Sequence, residues 1–126
     1  MHPTELFMTP EQAMQHLHLN EPDDRLKLGV TVFNTTNCES TIIINSQLLP
    51  GVQQAVLAQE RVQSSMYTKY LKDHPERHIE DIMPYAHYAG LDAGVALAKK
   101  LGVLDDYLSA RGLGETEESI RLALRP

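Results

Sequence analysis

The sequence contains no tryptophan, one cysteine and two phenylalanines among its 126 residues, and it has no excess of positive charge. Each shortage excludes something. A lone Cys38 cannot close an internal disulfide, so an apolar core and not covalent staples has to hold the fold, which fits a reducing cytoplasm. No apolar run approaches the roughly 20 residues a membrane-spanning helix needs. Met1-His2-Pro3-Thr4-Glu5 lacks the basic start and apolar core of a secretion signal, and the expected location is therefore cytoplasmic. Residues 1–72 carry 5 basic and 7 acidic side chains and residues 73–126 carry 6 and 10, for a net charge of −6. Neither half offers the surplus of Lys and Arg that releases counterions from a phosphate backbone, which argues against nucleic acid and anionic membrane as partners.

What is present suffices for a globular fold. The apolar fraction is 42%, and a chain of this length buries roughly two-thirds of the surface its unfolded form exposes. No internal repeat, low-complexity tract or Gly/Ser linker divides it, so residues 1–126 are expected to form a single domain.

Local signals set the order of elements. Thr9-Pro10-Glu11-Gln12 has the hydroxyl, the proline and the Gln of a capping box, which predicts a short helix from Pro10 to His18 with Ala13, Met14 and Leu17 on one stripe. Leu26, Leu28, Val30 and Val32 alternate, and Thr41-Ile42-Ile43-Ile44 follows a polar cluster at 34–37, so the simplest reading is a β-hairpin. Two strands alone are marginal in water. The hairpin must pack on helices or pair with a strand of another subunit, which suggests self-association.

From Pro50 onward the pattern is helical. Val52, Ala55, Val56, Gln59, Val62, Met66 and Tyr70 recur at three- and four-residue spacing up to about Lys72. A second helix begins at Pro75, bends or restarts at Pro84 and ends at Gly102. Shorter ones cover Leu104–Arg111 and Thr116–Leu124. The expected fold is thus helix-dominated α+β: a short N-terminal helix, one hairpin and about four C-terminal helices.

Tyr85–Leu101 holds the most informative stretch. Ala86, Gly90 and Gly94 are spaced by four, as are Ala89 and Ala93. Two glycines inside a helix cost about 1 kcal/mol each relative to Ala, which close approach of another helix would offset. That helix could belong to a second subunit or to the chain's own core. The subunit-surface expectation comprises Ala86, Gly90, Ala93 and Gly94, with Tyr67 and Tyr88, which fall off the cleanest apolar stripes, as exposed aromatic anchors.

No signature of catalysis accompanies it. There is no nucleophile elbow, phosphate-binding glycine loop, dinucleotide fingerprint or His-Glu-x-x-His pair. Glu39 beside Cys38 would raise the thiol's pKa and so oppose its activation. His74 and His78 are four apart and His78 and Asp81 three apart, but Pro75 biases His74 out of the helical region. No catalytic, cofactor-binding or metal residue is assigned.

The leading expectation is a small acidic protein that works by binding another protein, as an adaptor, chaperone or anti-regulator, and is itself a homodimer. The alternative is a small-molecule- or metal-binding protein or enzyme with a pocket near His78, Asp81, Tyr85 and His87. A third is a helix-turn-helix DNA-binding regulator, suggested by Ala98 four residues before Gly102. Asp105 and Asp106 oppose it, since they would open the recognition helix with two carboxylates.

Overall fold

The computed structural model describes residues 2–112. In chain order these form β1 (Thr4–Met8), α1 (Pro10–His16), a 3-10 turn (Asp24–Lys27), β2 (Gly29–Asn34), β3 (Glu39–Asn45), α2 (Pro50–Asp73), a second 3-10 turn (Ile79–Asp81), α3 (Met83–Leu101) and α4 (Leu104–Arg111). The fold is helix-dominated α+β, as expected. The helix anticipated at Thr116–Leu124 lies outside the described residues.

The sheet has three strands in the order β1-β3-β2, with β2 antiparallel and β1 parallel to β3. The expected hairpin is therefore two of its three strands. The strand that completes it, Thr-Glu-Leu-Phe-Met, carries too little β-branched character to stand out. Two features start β2 at Gly29 and not at Leu26. The Asp23 carboxylate accepts a hydrogen bond from the Arg25 amide and opens the 3-10 turn. A Cβ at Gly29 would lie 2.8 Å from Val56 Cγ1, so only glycine lets the strand pass this closely under α2.

Central β3 is buried on both faces, which is why Ile42-Ile43-Ile44 runs apolar without alternation. Ile42 and Ile44, with Leu28, pack on Val52, Ala55 and Val56 of α2. Ile43 faces the other way, with Leu6, Met8 and Val30 under Ala13 and Met14 of α1 and Leu17, which caps its end two residues short of the expected His18. The Thr9–Gln12 capping box forms as read: the Gln12 amide donates to Thr9 Oγ1 and the Thr9 amide to Gln12 Oε1. α1 is only 7 residues long, so this cap and its packing on Ile43 hold it in place more than helix propensity does.

α3 starts at Met83, with Pro84 in the first turn, where its missing N–H leaves no bond unmade. The preceding stretch is a loop with a 3-10 turn, and the helix expected from Pro75 is absent. Gly102 ends α3 in the left-handed region at φ 72°.

The glycine face of α3 lies against α2. A Cβ on Gly90 would sit 2.7 Å from the Gln59 carbonyl oxygen, and one on Gly94 would lie 3.2 Å from the Ala55 carbonyl and collide with the Tyr107 phenol. Ala86, Gly90 and Gly94 are buried within this chain, and Ala93 is half-buried. The close approach that the spacing demanded is intramolecular, so this face is not free to be a subunit surface. Self-association had a second ground, the hairpin's need for cover and a further strand. Here α2, α1 and β1 meet that need.

Candidate functional site

The residues singled out from sequence do not converge. Tyr67 is buried at 7% exposure and packs edge-on against Phe33, ring centroids 5.7 Å apart, so it is no exposed anchor. Its hydroxyl pKa is raised by burial first and then by the Glu60 charge, which keeps it protonated. Tyr88 is half-buried, its ring 5.8 Å from that of His87. Among the four residues of the pocket reading, Asp81 accepts a hydrogen bond from the Tyr70 hydroxyl at 3.0 Å, and Tyr85 is 69% exposed. His78 lines a hollow with Thr35 and Cys38, while His87 faces a different cleft beside β2. Among the described residues no group of three His, Cys, Asp or Glu side chains could hold a metal ion. The α3–Gly102–α4 turn exists, but α4 spans 8 residues, exposes Asp105 and Asp106 in its first turn and buries Tyr107 in the core.

The structure instead brings together residues on the far flank of α2. Arg61, Ser65, Thr68, Lys69 and Lys72 recur along one side of the helix, and with His2, Pro3 and Glu5 at the start of β1 they wall a groove of about 800 Å³. Because β1 is an edge strand, this groove runs between a sheet edge and a helix. A second cleft lies beside the other edge, between β2 and α2, but Met83 and His87 of α3 close over it and leave about 190 Å³. Of these two spaces only the larger falls in the usual ligand-pocket range of about 300–1,000 Å³, a range that the hollow lined by His78, at about 520 Å³, also reaches.

Its electrostatics are organised. Arg61 donates from Nε and Nη2 to the two Glu5 carboxylate oxygens at 2.5 and 2.7 Å, a two-pronged contact that ties α2 to β1 across the groove. The Arg61 hydrogen bond holds the Glu5 carboxyl below its usual pKa against an opposing push from burial. Lys69 pairs with Asp73 at 3.3 Å. Beneath, the buried hydroxyls of Ser64 and Ser40 are 2.5 Å apart and join the helix to β3. Reading α2 by its apolar stripe missed this flank. The signal available in the sequence was the 61-65-68-72 spacing of hydroxyl and cationic residues on the polar side.

The Glu5–Arg61 contact predicts a pH signature. A carboxyl whose folded pKa is depressed contributes stability that is fully present above its unfolded value and is lost as pH falls through the folded value. Glu5→Gln is therefore expected to be less stable than the parent at pH 7, by less than about 1 kcal/mol because both side chains are partly exposed. In chemical denaturation measured at several pH values, the gap should begin to narrow near pH 4.5 and close below the folded pKa. A gap that stays constant down to pH 2 would show that Glu5 and Arg61 are not coupled.

No helix among the described residues is long and apolar enough to cross a membrane. Comparison with protein-family models, with curated proteins and with solved structures returns no match.

Proposed function

We propose that this protein acts by binding another protein, in the manner of an adaptor, chaperone or anti-regulator, through the groove between β1 and α2. The observation that carries this reading is the groove itself: a solvent-open hollow of about 800 Å³ that lies along α2, meets the start of an edge strand at Glu5 and is flanked by side-chain donors. Edge strands present unpaired backbone groups, and extended segments of partners commonly add to them as a further strand, with alternate side chains read by neighbouring pockets. A catalytic site would need an acid, a base or a nucleophile held in mutual reach. The groove offers ion pairs and hydroxyls along a channel, which suits recognition better. A second copy of this chain is one partner the reading admits, and a homodimer formed this way would not use the glycine face of α3.

The test is a photo-crosslinking amino acid placed at exposed Ser65, in the groove, and in a separate variant at exposed Gln15, on α1. Adducts are identified by mass spectrometry in the native lysate. A defined protein adduct, heterologous or with a second copy, is expected from position 65 and not from position 15. Identical adducts from both positions, or none from position 65, would sink the proposal.

A further inference from the structure

We infer that the Glu5–Arg61 ion pair is a gate: closed, it ends the groove at the start of β1, and opened, it lets a bound partner segment run on along β1 to the apolar surface at Phe7. This rests on the protein-binding reading above and adds how access along that site is controlled. The lining carries the first part of the argument. Glu5 and Arg61 wall the groove, whereas Phe7, two residues further along β1 and 44% exposed, lies outside it. In the sheet register Glu5 pairs with Ile42 and Phe7 with Ile44, so the two share one sheet face, and the ion pair stands where the groove would continue to the phenyl ring.

The main chain gives the second part. The Ser46 amide donates to the Met8 carbonyl, which in this parallel ladder makes Thr4, Leu6 and Met8 the residues bonded to β3 and turns the N–H and C=O of Glu5 and Phe7 to the free edge. Pro3, the preceding position in that phase, has no N–H to offer. A strand added to β1 must therefore pair with Glu5 and Phe7, the stretch that the ion pair divides from the groove.

The contact is also of a kind that opens. Its two side chains come from segments 56 residues apart and are 54% and 25% exposed, so water takes up both charges when they separate. The Arg61 hydrogen bond holds the Glu5 carboxyl below its usual pKa, which leaves both groups charged at neutral pH and makes the closed form the resting one. For an exposed pair the closed form is favoured at most about fivefold. The Lys69–Asp73 pair has no such role, since both residues lie on α2, four apart.

Photo-crosslinking in the native lysate tests the gate on the full chain, with the reactive residue at position 65, inside the groove, or at position 7, beyond it, in separate variants. The quantity read is the ratio of position-7 to position-65 adduct with the same protein, which cancels differences in partner abundance. Glu5→Gln and Arg61→Gln should each raise this ratio about fivefold. The double substitution should raise it no further, because either change alone opens the gate. Arg25→Gln breaks another exposed pair, with Asp23, away from the groove, and should leave the ratio unchanged. Far-UV circular dichroism should show every variant folded.

A ratio that fails to rise in one or both groove variants, or that rises equally with Arg25→Gln, would overturn the gate. The position-65 adduct separates the two levels. If it persists in the parent while the ratio stays flat, the groove binds protein without a gate; if it is absent from the parent and from every variant, the protein-binding reading falls and the gate with it.

Discussion

Replacing Gly90 by leucine is expected to cost about 3 kcal/mol or more, because side-chain volume added to a well-packed interface forces backbone shifts. Even alanine should destabilise, by about 1–2 kcal/mol, although in an open helix the same change stabilises by about 1 kcal/mol. The reason is the identity of the neighbour. The nearest atom to an added Cβ, at 2.7 Å, is the Gln59 carbonyl oxygen, part of the α2 backbone. It can retreat only if the whole helix moves. Beyond it, the Gln63 side chain at 3.0 Å is more able to give way. Urea denaturation followed by far-UV circular dichroism checks this, and an unchanged midpoint for both variants would mean that α2 and α3 do not pack at this distance. Sedimentation adds a second readout. Since Gly90 is buried in the chain's own packing, the substitution should lower stability at every protein concentration. Loss of a dimer with monomer stability intact would restore Gly90 to a subunit interface.

Tyr107→Ala is expected to be the most damaging single truncation in the C-terminal half, at about 3–5 kcal/mol. Tyr107 is fully buried, and its hydroxyl donates to Gln59 Oε1 at 2.7 Å. Its ring underlies the Arg111 guanidinium 5.7 Å away, and its phenol fills the space that Gly94 leaves open. One side chain thus joins α2, α3 and α4, and its removal opens a cavity that three helices would have to close together. Tyr107→Phe keeps the ring and should cost about 1 kcal/mol, the net worth of a typical hydrogen bond. Thermal melts of the two variants measure the difference. If Tyr107→Ala cost no more than Tyr107→Phe, the ring would not be part of the core. A coupling measurement sharpens the point: Gly94→Ala should be less harmful when residue 107 is already alanine, because the atom it would strike is gone.

Much of the fold was legible before any contact was known. The capping box at Thr9, Pro50 at the start of α2, Gly102 at the end of α3 and the apolar run of β3 are local features, each governed by groups within about one turn of chain, and each appears where the residues imply. Readings that required a partner at long range fared differently. Thr4–Met8 became a strand because β3 offered it an edge, and its own residues give only a weak β signal. The Leu26–Leu28 alternation gave way to a 3-10 turn because Asp23 captured the Arg25 amide. Tyr67 sits off the cleanest apolar stripe of α2, yet the Phe33 ring covers it. The groove went unread because its walls come from segments more than fifty residues apart, and on α2 its residues lie on the face that periodicity assigns to solvent.

The opening shortages keep their meaning. With no tryptophan and few aromatics, the core is built from leucine, alanine, isoleucine and valine with two buried tyrosines, Tyr67 and Tyr107, and the small residues allow two long helices to lie close together. The sequence by itself determined that α3 must approach something at short range, since nothing else offsets two glycines in a helix. It also determined that positive charge is scarce. Only the tertiary structure decided that the approached surface is α2 of the same chain, and that three of the few cations line one groove beside β1. Spacing along a helix specifies which side chains share a face, whereas the occupant of that face depends on contacts closed across dozens of residues, which no local pattern encodes.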